Sequence, residues 1–209
     1  MPVITAIERQ KRRRRADVRL EGGIVLALAL ELIAERGLVV GLELSEARCA
    51  ALRAEDERRE ALAAALRLLA GRSRSEQDLR GRLRRRGLSR PAVEAAVGRV
   101  RELGYLDDAA FARFFVEARQ AATPRSRRAL AFELSRQGVG KEVAGAAVAE
   151  LSDADAAYAA AQRRLRSLRG LDRLSFRRRL GAFLSGRGFG YGVARETIER
   201  CWAELEGQT

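Results

Sequence analysis

The chain has 209 residues, of which 41 are Lys or Arg, 28 are Asp or Glu and none is His, so its formal net charge is +13. The absence of histidine excludes Ser-His-Asp and Cys-His catalysis and histidine-based metal sites, and two cysteines are too few for a Cys-only zinc site. Because Cys49 and Cys201 also lack the spacing of a redox pair, we predict a cytoplasmic, non-enzymatic protein without a metal, a cofactor or a catalytic residue.

The positive charge is almost entirely arginine, since only Lys11 and Lys141 are lysine. Such an excess favours a polyanionic partner or an acidic protein surface. We do not expect a membrane partner, because the longest apolar stretch, residues 24–34, contains Glu31 and is too short to cross a bilayer.

The first 45 residues predict a small β-rich module. Residues 21–23, Glu-Gly-Gly, form a predicted tight turn between strands, since glycine tolerates positive φ. A helical turn over 31–36 that ends at Gly37 and a short strand over 40–44 follow. Alternating residues, a pattern typical of strands, occur in three runs: Val3, Thr5 and Ile7; Ala16, Val18 and Leu20; and Ile24, Leu26 and Leu28.

A helical pattern begins after Ser45, which we predict to cap a helix with Glu46 in its first turn. The helix is expected to run to Leu69, with a break near Asp56, and to stop at Gly71. From here to the end of the chain we predict no strand.

The rest of the chain contains an internal repeat of the pattern Leu-x3-Leu-x3-Gly. Leucines four apart share a helix face and the glycine suits a helix C-terminus, so each copy predicts a buried helix followed by another. The copies lie 51 and 50 residues apart: Leu79, Leu83 and Gly87; Leu130, Leu134 and Gly138; and Leu180, Leu184 and Gly188. A branched apolar residue follows ten residues after each glycine, as Val97, Val148 and Ile198.

Another helical segment precedes each copy, at 61–70, 108–121 and 153–168. Three helices per unit in tandem predict a mainly α, elongated array of three-helix repeats behind the β-rich module. The predicted boundaries are 1–45 for the module, 46–106 for the linking helix and first repeat, 107–151 for the second repeat and 152–209 for the third.

The repeated part resembles the RecX family, the bacterial regulators of the RecA recombinase. The first unit is similar through Ala-Leu-Arg-Leu-Leu at 65–69 and Arg-Ser-Arg-Ser-Glu-Gln-Asp-Leu at 72–79. Leu-Gly-Tyr-Leu-Asp-Asp-Ala-Ala-Phe-Ala at 103–112 and Arg-Gly-Phe at 187–189 match two further motifs of the family. Ile-Thr-Ala-Ile-Glu at 4–8 is similar to the N-terminal β extension of some members.

This resemblance implies a curved array that lies in the groove of the RecA–DNA filament. It also implies a regulator that limits filament extension or promotes disassembly, and so restrains ATP hydrolysis, recombination and cleavage of the SOS repressor in DNA repair. The alternative is a sequence-independent DNA-binding protein with helix-turn-helix-like units, since the chain has no Asn for base readout. Single- or double-stranded DNA is an expected weak partner. We expect a monomer, because tandem units bury each other's faces.

Acidic pairs near the helix starts favour a structural interpretation. Asp107 and Asp108 have no histidine or third carboxylate beside them, so we predict that either one caps the helix carrying Phe111. The same interpretation applies to Asp153 and Asp155.

The glycine-rich stretch at 186–192 lacks the spacing of a phosphate-binding loop. We interpret it as a helix end and a turn, with Phe189 and Tyr191 packed nearby. Trp202 is predicted to be a core residue of the last helix.

Arginine clusters stand near the start of the second helix of each unit, where the helix dipole disfavours cations. In the second unit Thr123, where the RecX family often has glycine, and Pro124 are the predicted cap and first helical residue. Ser175 is the predicted cap in the third unit, and Arg72 and Arg74 precede the helix of the first. Cations at such positions predict an anionic partner, to which the helix N-termini would add N–H donors.

We therefore predict one basic surface that binds the filament or nucleic acid. Its predicted residues are Arg72, Arg74, Arg80, Arg84, Arg125, Arg127, Arg128, Arg177, Arg178 and Arg179. The cations at 84–86 equally suit a solvated helix C-terminus. The basic run at 11–15 either contacts the partner or blunts an exposed sheet edge.

Overall fold

The computed structural model describes residues 1–11 and 14–206. They form two compact units, one made of the described residues up to 72 together with 79–106, the other of residues 73–78 and the described residues from 107 onward. Arg12 and Arg13, in the basic run at 11–15, lie outside the described residues.

An antiparallel sheet opens the first unit. Its strands are β1 (Ile4–Arg9), β2 (Arg15–Leu20) and β3 (Val25–Ala29), with β2 in the centre. The turn between β2 and β3 has positive φ at Gly22 and Gly23, as the sequence predicts. The three strands are those predicted from the alternating runs, which are confirmed. The short helix α1 (Leu30–Glu35) follows.

The segment 40–44 does not form the predicted strand. Gly41 adopts a φ of 93° and turns the chain there, and its N–H donates to the carbonyl of Ile4. Glu43 makes an isolated bridge with Val3 instead. Of the three apolar side chains in this segment, Leu44 is buried whereas Val40 and Leu42 are exposed.

Helix α2 (Glu46–Gly71) is capped as predicted, since the Oγ of Ser45 accepts from the N–H of Arg48. The predicted break near Asp56 is wrong. The Asp56 carboxylate is buried and accepts from the N–H of Ala29 at 2.8 Å and from the Arg15 guanidinium at 2.6 Å. It therefore ties α2 to the sheet instead of competing for the backbone of its own helix.

The remaining helices form three-helix repeats, and in the described part of the chain no strand follows Ser45. The first repeat contains the second half of α2 with α3 (Glu76–Arg85) and α4 (Arg90–Glu102). The second contains α5 (Asp108–Ala122), α6 (Arg127–Arg136) and α7 (Lys141–Val148). The third contains α8 (Asp153–Leu165), α9 (Arg173–Gly186) and α10 (Tyr191–Glu206).

Each repeat buries a core of its own. The six repeat leucines are 0% exposed, and the three branched residues that follow them are buried as well. The glycine of each copy has a φ between 83° and 88°, the left-handed conformation expected past a helix end. The predicted register of the repeat is therefore confirmed.

In the third repeat, the predicted packing is found for some aromatic residues and not for others. Phe189 is buried, and Trp202 packs against Phe176 with ring centroids 5.1 Å apart. Tyr191 is 75% exposed, so its predicted packing is wrong. It is the first residue of α10, at the end of the face that carries Ala194 and Ile198, and its side chain stays exposed there.

Candidate functional site

The central helix of the second repeat, α6, is capped by Ser126, whose Oγ accepts from the N–H of Ala129 at 3.1 Å. The predicted cap at Thr123, with Pro124 as the first helical residue, is wrong. Thr123 instead ends α5, because its N–H still donates to a carbonyl of that helix. Pro124 and Arg125 then connect the end of α5 to the cap of α6.

The three arginines of this segment consequently differ in their surroundings. Arg125 precedes the cap, and its guanidinium lies 3.0 Å from a carboxylate oxygen of Glu133, which also pairs with Arg119 at 3.0 Å. Arg127 and Arg128 are the first two residues of α6 and are exposed. Arg125 thus belongs to the ion pairing of the fold, whereas Arg127 and Arg128 are accessible to a partner.

Two of the backbone donors at the start of α6 are already in use. The N–H of Arg127 donates to the carboxylate of Asp153 at 2.7 Å, and the N–H of Ala129 donates to Ser126. The Arg127 guanidinium lies 4.0 Å from the same Asp153 oxygen. The expectation that this helix end offers its N–H groups to a ligand is therefore wrong, because the anion it attracts is Asp153.

Of the two arginines before α3, Arg74 forms an ion pair and Arg72 is accessible to a partner. Arg74 pairs with Asp78 at 3.0 Å, and its side chain is only 10% exposed. Arg72 follows the end of α2 and is exposed. Ser75, which is buried, caps α3 by accepting from the N–H of Asp78, so it corresponds to Ser126 in the repeat.

Within α3, Arg80 and Arg84 both contact Glu94 of α4, at 2.9 and 3.4 Å. The hydrogen bond from Arg80 is the main cause that lowers the pKa of Glu94 below its ordinary value. These two predicted binding residues therefore link two helices of one repeat.

In the third repeat, α9 begins one turn earlier than predicted. Its cap is Asp172, which accepts from the N–H of Ser175 at 3.0 Å, so Ser175 is the third residue of the helix and not its cap. The arginines at 177–179 consequently lie in the second turn and are exposed. The helix dipole does not disfavour these cations, because its effect falls off within the first turn. Arg173 occupies the first position and pairs with Glu199 at 2.8 Å.

The second and third repeats share one arrangement. By the 50-residue spacing, Arg127 and Arg128 correspond to Arg177 and Arg178, and all four are exposed within the same compact unit. In the described part of the chain, no ion pair forms at Arg72, Arg128, Arg177, Arg178 or Arg179. These guanidinium groups are therefore available to pair with an anionic partner.

Sequence reasoning missed two arginines that join the repeats of the second unit. Arg163 donates to the carbonyls of Ala121 and Ala122 at 3.0 and 2.7 Å. Arg187 donates to the carbonyl of Pro124 at 3.3 Å, and its pKa is lowered chiefly by burial and further by repulsion from Arg125 and Arg163. Their contacts join residues 41 to 63 positions apart, so no local pattern could have indicated them.

Over residues 1–11 and 14–206, no helix has the length and apolarity needed to cross a membrane. The same residues contain no group of three Cys, Asp or Glu side chains that could hold a metal ion.

Comparisons with known proteins agree with the three-repeat architecture. Models of the first, second and third three-helix domains of RecX match residues 61–99, 107–148 and 152–198. Among solved structures, a crystal structure of regulatory protein RecX has a TM-score of 0.68 at 23% identity, covering 95% of this chain and all of that chain. RecX from Lactobacillus salivarius has a TM-score of 0.61 at 18% identity, covering 73% of this chain and 98% of that chain.

Sequence relatives lead to the same family. Regulatory protein RecX of Chlorobium limicola is 35% identical over 147 residues, which cover 70% of this chain and 92% of the relative. The corresponding protein of Streptomyces lividans is 36% identical over 152 residues, covering 71% and 80%. That of Mycobacterium marinum is 38% identical over 144 residues, covering 66% and 83%. With matches of this extent in all three repeats, the chain belongs to the RecX family of regulatory proteins.

Proposed function

We propose that this chain binds in the groove of the RecA–DNA filament as a cytoplasmic monomer and inhibits filament extension. The observation that carries the proposal is the matched pair of exposed cationic positions, Arg127 with Arg128 and Arg177 with Arg178. Equivalent charges on successive repeats suit a partner that itself repeats, such as a helical polymer with acidic side chains and phosphates.

The mechanism is one of binding alone. Several weak contacts on consecutive repeats act as linked sites, so their combined affinity exceeds that of any single contact. A chain that binds the non-extending state of the filament more tightly shifts the equilibrium towards it. RecA ATP hydrolysis, strand exchange and repressor cleavage then fall, because each depends on the extended filament.

Bare DNA is the second candidate partner, and the same exposed arginines favour it. Arginine contacts phosphates without reading the base sequence, so DNA binding of this kind is weak and depends strongly on salt. The two candidates can be distinguished by comparing how much affinity for filaments and how much affinity for bare DNA is lost when the arginines are replaced.

The test compares two doubly substituted chains that lose the same charge. Arg127→Ala with Arg128→Ala removes the proposed contacts, and Arg85→Ala with Arg86→Ala removes two exposed cations at a helix C-terminus. Arg125 is left intact because it pairs with Glu133. Binding to RecA filaments and to bare DNA is measured over a range of salt concentrations, along with RecA ATPase activity and thermal unfolding.

We expect the Arg127/Arg128 variant to bind filaments more weakly and to release RecA ATPase from inhibition, with its melting temperature retained. If phosphates are the contacts, the slope of log affinity against log salt falls by about two for the two arginines. The Arg85/Arg86 variant should behave as the wild type. Equal binding by both variants would contradict the proposal, and an equal loss on bare DNA and filaments would favour the DNA-binding alternative.

A further inference from the structure

The third repeat carries an open groove between α9 and α10. Its volume is about 370 Å³, and its floor is formed by Gly181 of α9 with the buried Ala194 and Ile198 of α10. A Cβ atom built on Gly181 would meet only the Cδ1 of Ile198, at 3.6 Å, which is an ordinary contact. The groove is therefore open because residue 181 has no side chain.

The corresponding positions of the first repeat are filled. By the repeat spacing, Gly181 corresponds to Arg80, Ser185 to Arg84 and Arg195 to Glu94. In the first repeat these three residues form ion pairs across α3 and α4. In the third repeat, Gly181 and Ser185 stand in place of these two arginines, so no long side chain fills the groove.

The edges of the groove are positively charged. Arg177, Arg178 and Arg195 lie along its edges, and within the described part of the chain none of them forms an ion pair. The one acidic residue of the lining, Glu199, is already paired with Arg173 at 2.8 Å. The groove thus combines an apolar floor with a positive rim.

We propose that this groove binds an acidic segment of a protein partner through one inserted apolar side chain. Alanine and isoleucine side chains on the floor favour an aromatic or aliphatic residue, since burial of an apolar side chain is the main gain at an interface. Carboxylates next to that residue satisfy the arginines of the rim by charge-assisted hydrogen bonds. A phosphate would satisfy only the rim.

The inference rests on the proposed function in one respect, namely that the segment belongs to the protein component of the RecA filament. The recognition chemistry is independent of that assignment. A short acidic peptide and the filament are therefore tested separately, so that failure of one can be told from failure of the other.

The first measurement uses a short fluorescein-labelled peptide of Glu, Asp and Ser with a single central Phe. Two variants of the full chain address the two parts of the groove. Gly181→Leu fills it, and Arg195→Glu gives the rim the residue of the first repeat without touching the floor. Gly145→Leu is the matched control, because Gly145 is an exposed glycine of α7, and a Cβ atom at that position would have nothing within 4 Å of it.

We expect both groove variants to lower the affinity for the Phe peptide by about tenfold, the scale of a lost interface anchor, and the control to leave it unchanged. A peptide with Ala in place of Phe should bind the wild type as weakly as the Phe peptide binds the variants. Equal affinity of all variants for the Phe peptide would overturn the inference. So would a single-stranded oligonucleotide that competes with the peptide and itself loses affinity in the Gly181→Leu chain.

The second measurement uses RecA filaments. If both groove variants lose filament affinity and the control does not, the filament protein is the partner. If the wild type binds the peptide but no filament, the proposed function fails and the groove chemistry stands. Normal filament binding by both groove variants would overturn the assignment of this groove to the filament.

Discussion

Asp153 caps a helix that is not its own. Its carboxylate accepts a hydrogen bond of 2.7 Å from the N–H of Arg127, the first residue of α6, although Asp153 itself begins α8. The same relationship occurs between Asp108, the first residue of α5, and the N–H of Glu76, the first residue of α3, at 2.8 Å. In both cases the acidic residue serves the central helix of the preceding repeat.

The neighbouring residues cap the helices that the aspartates begin. Asp107 accepts from the N–H groups of Ala109 and Ala110 in α5, and Ser152 accepts from the N–H of Asp155 in α8. The prediction that one of the two aspartates caps the helix carrying Phe111 is thus confirmed, and Asp107 is the one. In each consecutive pair, the first residue caps the helix of its own repeat and the second accepts from the central helix of the preceding repeat.

Replacing Asp153 with alanine tests this second function. We expect Asp153→Ala to lower the free energy of unfolding by about 1 kcal/mol, because the first N–H of α6 loses its acceptor. Urea unfolding followed by circular dichroism measures the change. Asp155→Ala is the control, since it removes an exposed carboxylate from the same first turn of α8. Equal losses in both variants would show that only the charge matters.

Gly188 provides a second test of the contact between repeats. Its φ is +88°, and a Cβ atom there would lie 2.7 Å from the Oγ of Ser126 and 2.8 Å from the Cβ of Ala129. Gly170 has a similar φ of +78° with nothing within 4 Å of such an atom. Gly188→Ala should therefore be more destabilising than Gly170→Ala by about 1–3 kcal/mol, the cost of overpacking. Equal losses of unfolding free energy in the two variants would contradict the prediction, because they would reflect only the cost of a positive φ that both positions share.

The periodic parts of this fold could be predicted from the sequence because each depends on local spacing. The alternation around Val18 follows from one buried face of a strand, and the pairing of Leu130 with Leu134 follows from one buried face of a helix. The recurrence of that pair at 51 and 50 residues then indicates the number of repeats.

The helix starts could not be predicted in the same way, because several residues near each start are able to cap. Ser175 and Asp172 are both residue types that cap helices well. Because Asp172 is the cap in the structure, α9 begins three residues earlier than a cap at Ser175 would allow. Thr123 is a plausible cap by type, but α5 extends to it. Some arginines are engaged by a partner on a different helix, which local spacing does not indicate, as Arg84 and Glu94 illustrate.

Leu134 is 0% exposed and lies at the centre of the second repeat's core. We expect Leu134→Ala to reduce the free energy of unfolding by about 2–5 kcal/mol, since it removes buried methyl groups and leaves a cavity. Phe132→Ala on the same helix is the control, because Phe132 is 63% exposed and should change stability by less than about 0.5 kcal/mol. A loss below about 1 kcal/mol for Leu134→Ala would be inconsistent with its buried position.

Both cysteines are buried, and burial is the main cause that raises the pKa of Cys201 to about 11. At neutral pH the Cys201 thiolate, the form that reacts with disulfide reagents, is therefore scarce, and burial keeps reagents from both sulfur atoms. We expect a thiol-specific chromogenic reagent to react slowly with the folded chain and rapidly with both cysteines in urea. The Cys49→Ser variant isolates Cys201 in this assay, and rapid reaction of that folded variant would contradict the packing of α10.

The cap of α9 predicts a specific dependence of stability on pH. The N–H of Ser175 is the main cause that lowers the pKa of Asp172 below its ordinary value, and the Ser175 hydroxyl adds to it. A carboxyl whose pKa is lowered by folding contributes stability that is fully present above its unfolded-state pKa, about 3.9. That contribution is lost as the pH falls through the folded-state pKa.

Asp172→Ser keeps a good capping residue but removes the titrating group. The wild type's advantage in urea midpoint over this variant should therefore be constant from neutral pH down to about pH 5 and shrink as the pH falls further. Asp155→Ser, which removes an exposed carboxylate from α8, controls for the change in net charge on acidification. A midpoint difference between wild type and Asp172→Ser that does not change between about pH 5 and about pH 2 would mean that the Asp172 carboxylate does not stabilise the start of α9.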